Sequence, residues 1–193
     1  MRLIVGLGNP GNQYATTRHN AGAWFVATLA KEQNAHFQTV SKFHAIIAEI
    51  SGADGQNILL AVPTTFMNHS GQTIAAIANF YKIQPEEILV AHDELDLPVG
   101  NVRLKLGGGH GGHNGLRSTI DMLHSRDFYR LRLGIGHPGI REQVTPYVLG
   151  TPTKGEQHAI DQAIDQVLEH TNLVKAGNLS KLMQQLNTIS KIV

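Results

Sequence analysis

The 193-residue sequence predicts a single α/β domain of three layers, a mixed, mostly parallel, twisted sheet flanked by helices. Three observations predict it. Short apolar runs of strand length alternate with longer segments whose apolar residues recur at helical spacing. Two adjacent β-like runs are joined by a tight Asp-Gly reversal, which places at least one hairpin in the sheet. No internal repeat, low-complexity tract or linker divides the chain, and its length suits one domain over residues 1–193 and is short for two.

Residues 2–6 read as a buried strand. A long polar loop follows, and helical spacing begins near Trp24 and runs to Asn34. Residues 43–50 and 57–62 are β-like and connected through Ser51-Gly52-Ala53-Asp54-Gly55, so an antiparallel pair is expected. Ser70 is placed to cap a helix in which Ile74, Ile77, Ala78 and Tyr81 follow i, i+3, i+4, i+7 spacing. Residues 88–91 form a short apolar strand ending at His92-Asp93. Residues 102–106 are strand-like and residues 114–123 helix-like, with a glycine-rich stretch between them. Residues 129–135 alternate Tyr, Arg, Leu, Arg, Leu, as a strand with one charged face does. Thr153 and Glu156 have capping-box spacing ahead of Ile160, Ile164, Val167 and Leu168. A last amphipathic helix carries Leu179, Leu182, Met183, Leu186 and Ile189.

Composition narrows the function classes. Hydrophobic residues make up 41% and charged residues 16%, the balance of an ordinary soluble globular protein. The absence of cysteine excludes disulfides and thiolate metal sites. Met1-Arg2 leads straight into a strand-like run too brief for a signal segment, and no apolar stretch approaches membrane-spanning length; a cytoplasmic protein without a membrane partner is expected. The formal net charge of +1 hides an asymmetry. Between residues 98 and 141, Arg103, Lys105, Arg117, Arg126, Arg130, Arg132 and Arg141 face only Asp121 and Asp127, a net +5 that leaves −4 for the remainder. Such a segment fits either a cationic face for nucleic acid or arginines scattered over a solvated surface.

Gly6-Leu7-Gly8-Asn9-Pro10-Gly11 matches the G-x-G-x-x-G pattern of dinucleotide-binding loops. That pattern works by opening a helix whose N-terminus receives a pyrophosphate. Here Pro10 and a polar run through Asn20 intervene before any helical spacing, and Glu32, the acidic residue nearest the spacing for a ribose, falls within the helix. The loop reads instead as a strand-end platform that presents Asn9, with His19 ten residues on. In an open α/β sheet, functional groups gather beyond the carboxyl ends of parallel strands, so Asn9 and Asp93 share a crevice if their strands are neighbours. His19 could join them, with Asp93 fixing one imidazole nitrogen and the other taking a proton from water. Against this stands the ordinary reading, in which Asp93 is a turn residue and His19 a loop histidine.

Six glycines among residues 107–115 give a backbone that is costly to order, useful where side chains would block a close approach. Asn114 stands at the expected helix start as cap, ligand-binding group or both, and Asn68 invites the same two readings. The eleven histidines raise the question of metal, but His110-x-x-His113 lies in a glycine loop that would hold ligand geometry poorly, so neither a metal nor another cofactor is expected. No G-x-S-x-G occurs, which leaves water as the nucleophile.

The loop Gly6–Gly11 with Tyr14 and Thr17-Arg18-His19-Asn20-Ala21-Gly22, the run Pro63-Thr64-Thr65-Phe66-Met67-Asn68-His69-Ser70-Gly71, His92-Asp93-Glu94-Leu95-Asp96, the glycine stretch 107–115 and Gly134-Ile135-Gly136-His137-Pro138-Gly139 together resemble bacterial peptidyl-tRNA hydrolase, in order along essentially the whole chain. The resemblance implies hydrolysis of the ester joining a peptide to tRNA, with His19 as general base, Asp93 as its orienting partner and Asn9 separating N-blocked from free aminoacyl-tRNA. It implies that Tyr14 and Phe66 line the substrate crevice and that Asn68 and Asn114 hold peptide and terminal nucleotide. By the same resemblance Lys105 and Arg132 grip the 5′ phosphate end of the tRNA, His113 and Arg141 make weaker backbone contacts, and the protein is a monomer without an obligate protein partner. Two other classes stay open on the residues alone: an RNA-binding protein without turnover, and a metal-dependent hydrolase motivated by the histidine count.

Overall fold

Leu3, Val5, Ile88 and Val90 belong to one face of a seven-stranded sheet, and Ile4, Leu89 and Ala91 to the other, so the period-two alternation of two short strands splits the core into two halves. The computed structural model describes residues 1–189, and the expected domain limit at Val193 and the expected place of the Ile189 side chain lie outside what is described. The strands are β1 (Leu3–Gly6), β2 (Gln38–Val40), β3 (Ala45–Ser51), β4 (Asn57–Pro63), β5 (Ile88–Glu94), β6 (Val102–Leu106) and β7 (Tyr129–Gly134), arranged β2-β3-β4-β1-β5-β7-β6. The sheet is mixed, as the sequence predicts, but it is not mostly parallel, because half of its six strand pairs are antiparallel. Its parallel part is confined to the four central strands, through β4–β1, β1–β5 and β5–β7. The flanking pairs β2–β3, β3–β4 and β6–β7 are antiparallel.

Helices α1 (Ala21–Glu32), α5 (Lys154–Leu168), α6 (Thr171–Lys175) and α7 (Leu179–Ile189) bury their apolar residues against the Ile4 and Leu89 face. On the other face α2 (Ser70–Tyr81) and α3 (Asn114–Leu123) seal Leu3, Val5 and Val90 with Ile74, Ile77 and Leu116. A short α4 (Val144–Val148) precedes α5, whose expected capping box is present: Thr153 Oγ1 accepts from the Glu156 N–H, and Glu156 Oε2 accepts from the Thr153 N–H.

Four sequence readings change at element ends. The first helix starts at Ala21, three residues before Trp24, because the 3-10 turn of Arg18–Asn20 feeds directly into it. Ser70 is not a cap but the first helical residue after the turn Met67–His69, and its buried Oγ has no partner among the described residues. Asn114 is likewise the first residue of α3, and His113 is its cap. β5 runs on to Glu94, so His92 and Asp93 lie within the strand. The glycine-rich loop after β1 opens no helix, in keeping with the sequence argument against a dinucleotide site.

Candidate active site

Because β1, β4 and β5 run parallel, their carboxyl ends emerge on one side of the sheet, at the point where the chain order reverses around β1. Asn9 follows β1, Asn68 follows β4 and Asp93 lies near the end of β5; with His19, His113 and Asn114 they line a cleft of about 900 Å³. The glycines ahead of His19 and after it set the depth of this arrangement. A Cβ on Gly22 would collide with the Ala91 carbonyl oxygen, and one on Gly6 with the Gly22 carbonyl oxygen. Only glycine at both positions lets the start of α1 lie against β1 and β5, which delivers the His19 ring to Asp93.

The contact is direct. His19 Nδ1 lies 2.9 Å from Asp93 Oδ1 and 3.0 Å from Oδ2. Asp93 Oδ1 also meets His113 Nε2 at 2.9 Å. The protons follow from the hydrogen-bond network. His113 Nδ1 accepts from the N–H groups of Gly115 and Leu116 at the start of α3, 3.1 and 3.3 Å away, so its proton resides on Nε2 and is donated to Asp93. His19 Nδ1–H donates to the same carboxylate, and the hydrogen bonds of the His19 side chain among the described residues are all made by Nδ1, which leaves Nε2 facing the cleft. A buried carboxylate thus holds an imidazole in the tautomer that leaves Nε2 able to accept a proton.

The charges reinforce this assignment. Burial by itself raises the proton affinity of Asp93, but the two histidines more than offset it and hold the carboxyl well below the usual range. Burial pulls His19 down while the charge and hydrogen bond of Asp93 pull it up, and the net result is a value raised above 6.5. His92 differs. It is fully enclosed, donates from Nδ1 to the Asp93 carbonyl oxygen at 2.6 Å, and burial followed by the neighbouring His113 pushes it down to about 3.

Asn9 is clasped on three sides. Its N–H donates to Asn20 Oδ1 at 2.8 Å, its carbonyl accepts from Asn20 Nδ2 at 3.0 Å, and its side-chain Oδ1 accepts from the Met67 N–H at 2.8 Å. With the oxygen occupied, its amide offers the cleft only N–H donors.

The family model described as peptidyl-tRNA hydrolase matches residues 3–192. This chain belongs to the peptidyl-tRNA hydrolase family. It is 53% identical over 188 residues to the peptidyl-tRNA hydrolase of Coxiella burnetii, covering 97% of this chain and 98% of that protein. It is 55% identical to that of Alcanivorax borkumensis, covering 97% and 96%. The solved peptidyl-tRNA hydrolase of Acinetobacter baumannii superposes with a TM-score of 0.92 at 48% identity, over 97% of this chain and 94% of that one. The peptidyl-tRNA hydrolase resemblance drawn from the motifs is therefore a family membership, and the fold is that of a hydrolase family.

The peptidyl-tRNA hydrolase motifs do not all stand where the sequence reading expects. Phe66, half-exposed, lines the cleft, and Tyr14 is outside the lining but meets it edge to face with ring centroids 6.3 Å apart. Asn68 and Asn114 reach the cleft, Asn114 Oδ1 lying 3.4 Å from Arg117 Nη1. His113, expected among the tRNA phosphate contacts, sits inside the cleft with its side chain 9% exposed and both nitrogens engaged, because capping α3 turns its ring towards Asp93. Lys105 and Arg132 lie on one face of the β6–β7 edge with Arg103 and Arg130. Arg132 Nε donates to Glu94 Oε2 at 2.8 Å, and Arg141 lines the far side of the cleft.

Sequence reasoning missed Asn20, Glu94 and Arg18. Arg18, immediately before His19, donates to the Tyr147, Gly150 and Thr151 carbonyls, pairs with Glu156 at 2.9 Å and stacks on Tyr147, locking the turn that carries His19 to α4 and α5. Arg18 and Asn20 stand within the quoted motif beside His19, but nothing local says what they touch. His19, Asp93 and His113 also bring potential donor atoms within 4.8 Å of one another. A metal requires unprotonated ring nitrogens, and the two that face Asp93 are the ones that carry protons.

Buried His92 gives a stability prediction. Between pH 6.5 and about 3 the unfolded chain binds a proton that the folded chain refuses, so stability falls as pH drops through that window. Urea midpoints measured from pH 7 to 4 decline in the wild type, and the decline is shallower in His92→Asn. Equal slopes remove His92 as a cause.

Proposed function

We propose that this chain hydrolyses the ester between a peptide, or an N-blocked amino acid, and the terminal ribose of tRNA, acting in the cytoplasm as a monomer of one α/β domain over residues 1–193. The observation that carries the proposal is the His19 ring in the cleft, whose Nδ1–H is held by buried Asp93 while Nε2 makes no hydrogen bond among the described residues. His19 Nε2 takes a proton from water as the water oxygen attacks the ester carbonyl carbon. The tetrahedral species collapses, the bond to the ribose oxygen breaks, and that oxygen recovers the proton from the imidazolium. Free tRNA and a carboxylate leave. Asp93 stays ionised throughout and favours the transient charge on His19.

Asn9 supports the choice of substrate. Since the Met67 N–H occupies its oxygen, it presents donors, which donate to the carbonyl of an N-blocked residue and repel the ammonium of a free one. Tyr14 and Phe66 form the apolar rim for the peptide side, and Asn68 and Asn114 hold peptide and terminal nucleotide. The β6–β7 edge, with Lys105 and Arg132, receives the 5′ phosphate end. Glu94 occupies Nε of Arg132 and leaves the Nη edge for phosphate oxygens.

The deciding assay follows release of free tRNA from N-acetylated aminoacyl-tRNA, beside the unblocked form and with chelator present. Turnover of the blocked form alone, undiminished by chelation, supports the proposal. Binding without release assigns an RNA-binding role instead, and loss on chelation assigns a metal enzyme. Lys105→Ala and Arg132→Ala each reduce the salt dependence of tRNA binding by about one unit of slope. An unchanged slope shows that the altered cation does not meet phosphate.

A further inference from the structure

The two arginines of β7 share a face but not an environment. Arg132 is partly exposed and paired with Glu94. Arg130 is 3% exposed, stacks its guanidinium over Phe128 at 4.6 Å and has no carboxylate within ion-pair distance among the described residues. Its Nη1 and Nη2 donate to the carbonyl oxygens of Gly109 and Gly108. Burial, then the nearby charges of Arg126 and Arg132, works against its proton and Glu94 offsets them only in part, so this cation is held by carbonyl oxygens and not by a directly paired carboxylate.

What it grips cannot hold itself. Gly107, Gly108, Gly111 and Gly112 adopt φ of +70°, +112°, +55° and +82°, in the left-handed region, and leave the loop without side chains of its own to pack. Gly107 N–H donates to the Phe128 carbonyl at 3.0 Å, and Gly112 and His113 bond back to His110. Between those ends Arg130 is the tie to the sheet. The loop then delivers His113, which caps α3 and donates to Asp93, and Asn114 in the cleft.

We infer that Arg130 is a positioning residue: its fork of donors clamps consecutive carbonyls of the glycine-rich loop, and thereby sets His113 and Asn114 in the cleft without touching substrate itself. The fork geometry matters, because a lysine ammonium is a point donor that does not match two adjacent carbonyls. The activity consequence rests on the proposed hydrolytic reading, and the structural consequence does not.

The test compares Arg130→Lys and Arg130→Met with wild type by two readouts. Amide hydrogen exchange at Gly112, His113, Gly115 and Leu116 accelerates about tenfold or more in both variants while the central strands keep their protection. Turnover of N-acetylated aminoacyl-tRNA falls about 10–100-fold, as expected when supporting geometry slips, and by the same factor on 5′-phosphorylated and 5′-hydroxyl tRNA. Lys105→Ala, in contrast, loses rate only on the phosphorylated form. Unchanged exchange in both Arg130 variants overturns the clamp, and a loss confined to phosphorylated tRNA makes Arg130 a phosphate contact instead. The Lys variant keeps the charge and guards against misfolding of the Met variant. A wild-type chain inert on every tRNA sinks the hydrolytic reading and leaves the exchange result standing.

Discussion

Asp93→Asn lowers turnover by about four orders of magnitude, the scale on which an imidazole held in the wrong tautomer fails as a base. The geometry says why an isosteric change is so costly here. His113 is committed to donating from Nε2, because the amides of Gly115 and Leu116 occupy its Nδ1. The new amide therefore keeps its oxygen at the Oδ1 position for His113, and its NH₂, at the Oδ2 position 3.0 Å from His19 Nδ1, sets a donor against the Nδ1–H. His19 answers by moving its proton to Nε2, which is the atom that must accept one from water. Adding His113→Phe frees the amide to present its oxygen to His19, and part of the lost turnover returns. A fully active Asp93→Asn, or a double variant no better than the single one, contradicts this chain of hydrogen bonds.

His19→Ala lowers kcat by about 10²–10⁴-fold, the range of a lost general base, and leaves tRNA affinity close to wild type, since the residue is 9% exposed and apart from the cationic edge. The wild-type rate carries a distinctive acid limb. A base must be neutral, and Asp93 raises the His19 value above 6.5, so the rate falls as pH drops through a midpoint above that figure. In Asp93→Asn the raising charge is gone and the midpoint of any residual activity moves down. Single-turnover rates between pH 5 and 8.5 separate this ionisation from product release. A wild-type profile flat across that range, or near-normal turnover in His19→Ala, removes His19 from the chemistry.

The layout of the fold was largely legible. The hairpin around Asp54-Gly55, the capping box of Thr153 and Glu156 and the helical periods of α2, α5 and α7 all stand where local pattern puts them. The misses fall at element ends and at the short β2, α4 and α6, which carry too few residues to show a period. Ser70 and Asn114 have the chemistry of caps, but 3-10 turns and a capping histidine are chosen by what packs beyond them. The alternating arginines of β7 revealed a shared face, and only the path of the glycine loop shows that one of them is buried.

Residue types, their periods and their motifs follow from the linear chain, because helix and strand signals act over a few neighbours. From them come the mixed α/β sheet, the family and the identities of His19, Asp93 and Asn9 as groups worth uniting. Their protonation, their donor or acceptor roles and the place of His113 beside Asp93 came only with the fold. Those depend on partners 74, 58 and 20 residues apart in sequence, brought within hydrogen-bond distance by the parallel pairing of β1 with β5 and the glycine-thin approach of α1.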